Sequence, residues 1–385
     1  MDVSGCVMAA LLAVPFLALP AHAGGQAPGL EARKPGDVAQ LGTHRVTVRE
    51  MDVTPVVRNE YSARYSFDCY GNELLETLRE QERLDDVVAA GKTEFDKQVL
   101  LMDWTYKRFP LFGPPGGKPN STLEILKAVD EGKSFNCGFF ARVNRDALAA
   151  MGYVVRGVGL KGAKSDGNGS EHSILEVWSN QYRKWIVLDP TLNVYFEKDG
   201  KPLNAYEIRQ EWFYNDGKDL TIVIGPARER HPVSDLPIDR AYHKGFGMLG
   251  INDRSIGKFL YIAYTPKTAD GGPDYGRMFI TKDALCEGLS YHTRKCPDDP
   301  AREPYWPMCQ ADLKLAVADG AKLKVTVDTF TPDFAGYRSR VDGGDWREGA
   351  LESWGLHAGT NSLEVVAVNE FGLTGLPSKV VLDVQ

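Results

Sequence analysis

The sequence predicts an α+β fold with a C-terminal β-sandwich, and three observations support this class. Helix caps followed by an apolar side chain every three or four positions recur between residues 73 and 151. Three strand-like segments then follow one another between residues 153 and 188. From about Ala311 the chain changes to short alternating strands with glycine turns, a spacing typical of small β-sandwiches.

The N-terminal elements are predicted from alternation and from helix caps. Thr93 has the character of an N-cap, and Phe109-Pro110 ends the helix that it opens. Ser121 and Glu124 have the spacing of a capping box. In order, these elements are strands at 44–48 and 61–67 and helices at 73–90, 93–109 and 121–132.

The later elements are two more helices and several strands. A helix is predicted from Cys137 to about Met151, because Gly152 is a typical C-terminal cap. Asn204 caps another helix at 204–213. The predicted strands are 153–160, 172–178 and 184–188, followed in the C-terminal part by 322–327, 337–341, 363–368 and 379–384.

The length of 385 residues predicts several domains, since a domain has roughly 150 residues. A hydrophobic content of 43% and a charged content of 25% are those of a globular protein. The net charge of −7 argues against a nucleic-acid partner, which needs a basic face. We divide the chain into a signal peptide (1–23), a leader with a β/α subdomain (24–90), a central domain (91–235), a loop-rich cysteine-containing region (236–310) and a β-sandwich (311–385).

The first residues predict export to the periplasm or the medium. An apolar run from Val7 to Leu19 is followed by Ala21-His22-Ala23, which matches a signal-peptidase site before Gly24. The run is shorter than the roughly 20 residues that a membrane-spanning helix needs, and no later segment is apolar enough to span a bilayer. The start departs from the usual pattern, because residues 1–6 contain an acidic residue and no basic one.

The mature chain has an odd number of cysteines, which leaves one thiol over in an oxidising compartment. If Cys137 is the free thiol, the other four cysteines allow two disulfides, with one bridge expected among the three that lie close together. The sequence leaves the pairing of Cys69, Cys286, Cys296 and Cys309 open. The irregular spacing of that trio with His292 is unlike a zinc site, and no metal or cofactor is predicted.

Cys137 has the sequence context of a nucleophile. It lies where a helix is predicted to begin, and backbone N–H groups there favour a thiolate by about 0.3–1 kcal/mol at exposed sites. The same N–H groups can stabilise the oxyanion that forms when a thiolate attacks an acyl group.

His172 and Asp189 lie on the two strands of a predicted hairpin. A turn centred between Asn180 and Gln181 places His172 directly opposite Asp189, with Cβ atoms about 4.5–5.5 Å apart. A carboxylate in that position can hold the imidazole in one orientation. The sequence therefore predicts a site formed by Cys137, His172 and Asp189.

Three motifs in this order resemble the transglutaminase-like, papain-type superfamily. They are EGKSFNCGFFA at 131–141 with LAAMGYVVR at 148–156, EHSILEVW at 171–178, and WIVLDPT at 185–191. The resemblance implies a core in which a helix-borne cysteine packs on an antiparallel sheet. It also implies that Cys137 is the nucleophile, His172 the general base and Asp189 the residue that orients it.

Two features depart from that family. Ser173 follows His172 where many members have alanine and then tryptophan, which predicts a different substrate cleft. The second oxyanion donor has no obvious match, and Asn136 is the candidate, with Trp104 a weaker one.

The C-terminal strands resemble immunoglobulin-like or fibronectin type III modules.

Two functions from different classes remain open at this point. The first is an exported cysteine-dependent acyl-transfer enzyme that acts on a peptide or protein substrate, either as a peptidase or amidase or as a transglutaminase. The second is a non-catalytic binding protein in the cell envelope, in which the fold survives as a platform and the C-terminal sandwich holds a peptide or polysaccharide.

Overall fold

The structure of the chain is a computed structural model that describes residues 34–162, 171–238, 251, 253–265, 278–280, 296–318 and 321–385. The predicted signal peptide, Cys286 and His292 lie outside the described residues. In the part that is described, helices and antiparallel sheets are combined, which confirms the mixed α and β character predicted from the sequence.

The predicted N-caps are confirmed, but the box predicted at Ser121 is only half formed, because the Glu124 side chain accepts a hydrogen bond from the Asn120 N–H instead. Thr93 and Asp96 form a reciprocal capping box, and so do Asn204 and Glu207. No helix in the described ranges is long and apolar enough to cross a bilayer. The helices are α1 (Glu73–Gln81), α2 (Leu84–Val88), α3 (Glu94–Arg108), α4 (Thr122–Asp130), α5 (Cys137–Ala150), α6 (Ala205–Tyr214) and α7 (Asp253–Gly257).

Most of the predicted strands are also present, with one exception. Residues 61–67, predicted as a strand, contain instead a short 3₁₀ helix at Ser62–Arg64, whose N-terminal turn is held by the side chain of Asn59. The strands are β1 (Val38–Leu41), β2 (His44–Asp52), β3 (Val155–Lys161), β4 (Glu171–Ser179), β5 (Lys184–Leu188), β6 (Val194–Lys198), β7 (Lys201–Pro202), β8 (Thr221–Ile224), β9 (Glu229–Pro232), β10 (Tyr261–Thr265), β11 (Met278–Ile280), β12 (Asp312–Val317), β13 (Lys322–Asp328), β14 (Phe334–Val341), β15 (Arg347–Glu348), β16 (Ser353–Gly355), β17 (Gly359–Asn369) and β18 (Ser378–Val384).

The central sheet has the order β11-β10-β3-β4-β5 and is buried on both faces. Along β4, Leu175 and Val177 pack into one apolar cluster with helices α1 to α5, while Ile174 and Trp178 pack into a second cluster with α6. This division follows from the alternation of side chains along a strand. The region 236–310 is therefore more than a loop, because it supplies strands β10 and β11 to this sheet.

A buried ion pair fixes how β3 and β4 lie against each other. Arg156 and Glu176 are direct cross-strand partners, both are 0% exposed, and Nη2 lies 2.7 Å from Oε2. The guanidinium also stacks on the rings of Trp185 and Tyr264, each with its centroid at 4.2 Å. The second oxygen of Glu176 accepts a hydrogen bond from the backbone N–H of Ala205 at 2.8 Å, which ties α6 to the sheet.

The C-terminal part consists of two antiparallel sheets around a common apolar cluster. One has the order β1-β2-β18-β17-β14-β15 and the other β12-β13-β16, and Trp354 and Leu363 are among the buried side chains between them. The kinship of this module with immunoglobulin or fibronectin domains stays a prediction.

The described elements of the predicted N-terminal unit at 24–90 contact two different parts of the chain. Strand β2 pairs with β18 of the C-terminal sheets. Helices α1 and α2 share an apolar cluster with α3, α4 and α5. Both sets of contacts join segments that are far apart in the chain.

Replacing Glu176 by alanine should lower the free energy of unfolding by about 3–5 kcal/mol, because it leaves the Arg156 guanidinium buried without its counter-ion. Urea unfolding measures this change. The matched control is Glu348→Ala, which removes the partner of Arg338 at a site where the glutamate is 78% exposed. That control should cost at most about 1 kcal/mol, and an equal loss in the two variants would contradict the role of the buried pair.

Candidate active site

Cys137 is the first residue of α5, which confirms the predicted start of this helix. Asn136 has an extended backbone, and its Oδ1 accepts a hydrogen bond from the Gly138 N–H at 3.1 Å. The Cys137 N–H precedes the hydrogen bonds of the helix and has no acceptor among the described residues. The half-buried thiol therefore lies next to a free amide donor at the positive end of a helix.

His172 and Asp189 are in direct contact, with 2.7 Å between Nε2 and Oδ2. The other carboxylate oxygen accepts hydrogen bonds from the N–H groups of Thr191 at 2.9 Å and Leu192 at 3.2 Å. Asp189 is only 4% exposed, so the loop that follows β5 holds its carboxylate in place. Because Nε2 bonds the carboxylate, Nδ1 is the ring nitrogen left for the thiol.

The register of the β4–β5 hairpin differs from the prediction. The strands pair Trp178 with Trp185, and the turn comprises residues 180–183. Asp189 is therefore the diagonal neighbour of His172 and not its direct partner. The prediction was wrong by two positions, and a shift of two keeps both side chains on the same face, so the contact is preserved.

The turn takes this form because a carboxylate from another element binds it. Glu94, the first residue of α3, accepts hydrogen bonds from Ser179 Oγ at 3.1 Å, Asn180 Nδ2 at 3.0 Å and the Gln181 N–H at 2.9 Å. Arg183 closes the turn with a φ of 54°. The hairpin sequence alone does not contain this contact, which explains the error in register.

The thiol of Cys137 interacts with both His172 and the backbone of Ser173. Burial acts to raise the pKa of Cys137, but the hydrogen bond and charge of His172 and the Ser173 N–H together lower that pKa below its ordinary value of 9.0. Burial acts to lower the pKa of His172, but the charge and hydrogen bond of Asp189, together with Cys137, raise it to about 10. Both shifts act in the direction of a thiolate–imidazolium pair.

The contact with Ser173 was not predicted. Strand β5 ends at Leu188, opposite Leu175, so it does not extend alongside Ser173. The backbone N–H of Ser173 is therefore free to donate to the sulfur of Cys137. If β5 were longer, this N–H would instead pair with a carbonyl of β5. The only feature of the sequence that pointed to this contact is that Ser173 directly follows His172.

The two oxyanion candidates lie in different surroundings. The Oδ1 of Asn136 caps α5, and its role as an oxyanion donor stays a prediction. Trp104, on α3, is partly buried and packs against the apolar cluster of the helices. No group of three or more potential metal ligands occurs among the described residues.

Cys69 and Cys309 both have free thiols, so the four cysteines do not form two disulfides, and Cys286 lies outside the described residues. Burial raises the pKa of both thiols well above the ordinary range, and the neighbouring Asp333 carboxylate raises that of Cys69 further. The odd-cysteine argument was therefore wrong about these two residues. It still left Cys137 as a free thiol, which the structure confirms.

No family model and no curated protein matches this sequence. Among solved structures, a protein from Cytophaga hutchinsonii, provisionally described as a cysteine protease, is similar at 15% identity with a TM-score of 0.25. The similarity covers 38% of this chain and 49% of that one, so it spans about half of the other protein. At this TM-score it carries no argument, and the assignment of the site depends on geometry alone.

Iodoacetamide should alkylate Cys137 rapidly at pH 6, because its lowered pKa keeps thiolate present below the ordinary value of 9.0. His172→Ala removes the group that lowers this pKa, so the rate at pH 6 should fall by about tenfold or more. Peptide mapping measures both rates, with Cys69 as the internal control because burial raises its pKa. Slow labelling of Cys137 that follows an ordinary thiol titration would contradict the proposed ion pair.

Asp189→Asn should lower the thiolate fraction at neutral pH, because a neutral amide no longer raises the pKa of His172 from 6.5 to about 10. The ultraviolet absorbance of the thiolate, followed against pH, measures this change. Asp342→Asn is the matched control, since Asp342 pairs with the exposed His357 at 3.1 Å and lies in the C-terminal module. An unchanged thiolate titration in Asp189→Asn would show that the carboxylate has no such effect.

Proposed function

We propose that this chain is an exported cysteine-dependent acyl-transfer enzyme that acts on amide bonds through a thioester intermediate. The observation that carries the proposal is the contact of Cys137 with His172, whose ring is anchored by Asp189 at 2.7 Å. A thiol that only fills space has no need of a lowered pKa and a carboxylate-bound imidazole. The resemblance to transglutaminase-like domains points to the same chemistry.

In the first half-reaction the Cys137 thiolate attacks the amide carbonyl carbon, and the carbonyl oxygen takes up the negative charge. The free Cys137 N–H is placed to stabilise this oxyanion. When the intermediate collapses, the C–N bond breaks and the leaving nitrogen takes the proton from Nδ1 of His172. The products are an amine or ammonia and a thioester on Cys137.

In the second half-reaction His172, now neutral, accepts a proton from the incoming nucleophile as that nucleophile attacks the thioester. The C–S bond then breaks, and the thiolate–imidazolium pair is restored. Water as the nucleophile makes the enzyme a peptidase or amidase, and a primary amine makes it a transglutaminase. For an exported protein we favour hydrolysis of a peptide in the cell envelope.

The C-terminal module supports a role in placing the enzyme on its substrate. Its exposed aromatic side chains include Phe334 and Trp346, at 40% and 41% exposure. Aromatic faces of this kind bind partners with apolar or ring surfaces. We propose that the module contacts the peptide substrate or cell-envelope polysaccharide.

Cys137→Ala should abolish turnover, with a loss of more than about 10³-fold, while the far-ultraviolet circular dichroism stays unchanged. The assay follows both cleavage of a peptide library and release of ammonia from peptide-bound glutamine, with and without an added primary amine. Cys69→Ala is the matched control, since it removes another free thiol and should keep its activity. Equal turnover in Cys137→Ala and the unmodified chain would refute the enzyme and favour the binding protein.

A further inference from the structure

The side chain of Ser173 lies beside the nucleophile, at the first turn of α5. A Cβ atom built on Gly138 would be 3.9 Å from Ser173 Oγ, which is ordinary van der Waals distance. The backbone N–H of the same serine bonds the sulfur of Cys137. Ser173 is therefore held against the nucleophile through its own main chain, with its hydroxyl next to the residue that follows Cys137.

The hydroxyl of Ser173 has no hydrogen-bond partner within the described part of the chain. Each of its neighbours is already engaged, since the Gly138 N–H donates to Asn136 and the His172 ring bonds Asp189. Ser173 is only half-buried, so its hydroxyl is accessible to a molecule bound at the thiol. A hydroxyl proton that rotates freely can be directed at an oxygen placed there.

Among the described residues, the positions across the sheet from Ser173 carry small side chains. The residue opposite Ser173 on β3 is Gly159, and the residue opposite Gly159 on β10 is Ala263. A Cβ built on Gly159 would contact only Ala263, at 3.8 Å, among the described residues. Side chains at 159, 173 and 263 share one face, because cross-strand partners do, and all three are small.

We propose that Ser173 is a catalytic residue whose hydroxyl donates a hydrogen bond to the acyl oxygen of the substrate, as the partner of the Cys137 N–H. The inference rests on the proposed function and completes it, because one backbone donor alone was assigned to the oxyanion. The two donors belong to different elements, one to α5 and one to β4. Together they would stabilise the oxyanion of the tetrahedral intermediate.

Two reagents separate this role from a purely structural one. p-Nitrophenyl acetate acylates the thiol through a tetrahedral oxyanion, whereas iodoacetamide alkylates it by displacement at a carbon that forms no oxyanion. Ser173→Ala should lower the rate of acylation at Cys137 by about 10²–10³-fold and leave the rate of alkylation and its pH dependence unchanged. Ser173→Thr keeps a hydroxyl on the same carbon and should retain acylation within about tenfold of the unmodified chain.

Thermal unfolding of each variant establishes that it is folded before the rates are compared. Equal acylation of Ser173→Ala and the unmodified chain would overturn the inference, and so would a parallel fall in acylation and alkylation, which would mean that Ser173 acts on the thiol itself. If the unmodified chain is acylated no faster than Cys137→Ala, the proposed function fails together with the inference. If acylation is lost in Cys137→Ala but unchanged in Ser173→Ala, the inference about Ser173 is overturned and the proposed function is not.

Discussion

The buried ion pair of Arg156 and Glu176 is the constraint on which the position of the site depends. Two charges without solvent are stable only when they face each other, so the pair allows one register between β3 and β4. That register fixes Leu160 opposite His172 and Gly159 opposite Ser173. A shift of one residue between β3 and β4 would place Arg156 and Glu176 on opposite faces of the sheet and leave both charges without a partner.

Strand β4 contributes two consecutive residues to the candidate site, and their side chains lie on opposite faces of the sheet. By alternation, His172 belongs to the face that also carries Glu176, while Ser173 belongs to the face covered by α5. The end of β5 opposite Leu175 then leaves the main-chain amide of Ser173 open at the position of the thiol. The candidate active site thus lies where one strand ends and one helix begins.

Local patterns were enough to predict most of the helices and strands and the contact between His172 and Asp189. Asn136 and Gly152 bracket α5, and the capping box at Thr93 opens α3, because these signals act within one or two turns. The side-chain period of two made it possible to predict that His172 and Asp189 share a face, even though the register was two positions off. The strand predicted at residues 61–67 was wrong, because alternation over so short a segment also fits a turn held by Asn59.

The features that could not be predicted all depend on contacts between distant segments. Glu94 sets the hairpin turn from helix α3, and β2 pairs with β18 across most of the length of the chain. The free thiols of Cys69 and Cys309 likewise follow from where the fold places them, which a count of cysteines does not contain. Residue spacing along the chain predicts local structure. Contacts between distant segments form only in the assembled core, so spacing does not predict them.

The central claim is that a charged thiolate–imidazolium pair exists in the resting protein. Nuclear magnetic resonance titration of the His172 ring, before and after alkylation of Cys137, tests it most directly. The account predicts a protonated ring at neutral pH with a pKa near 10, and a lower pKa once alkylation removes the sulfur charge. A ring that titrates near 6.5 in both states would contradict it.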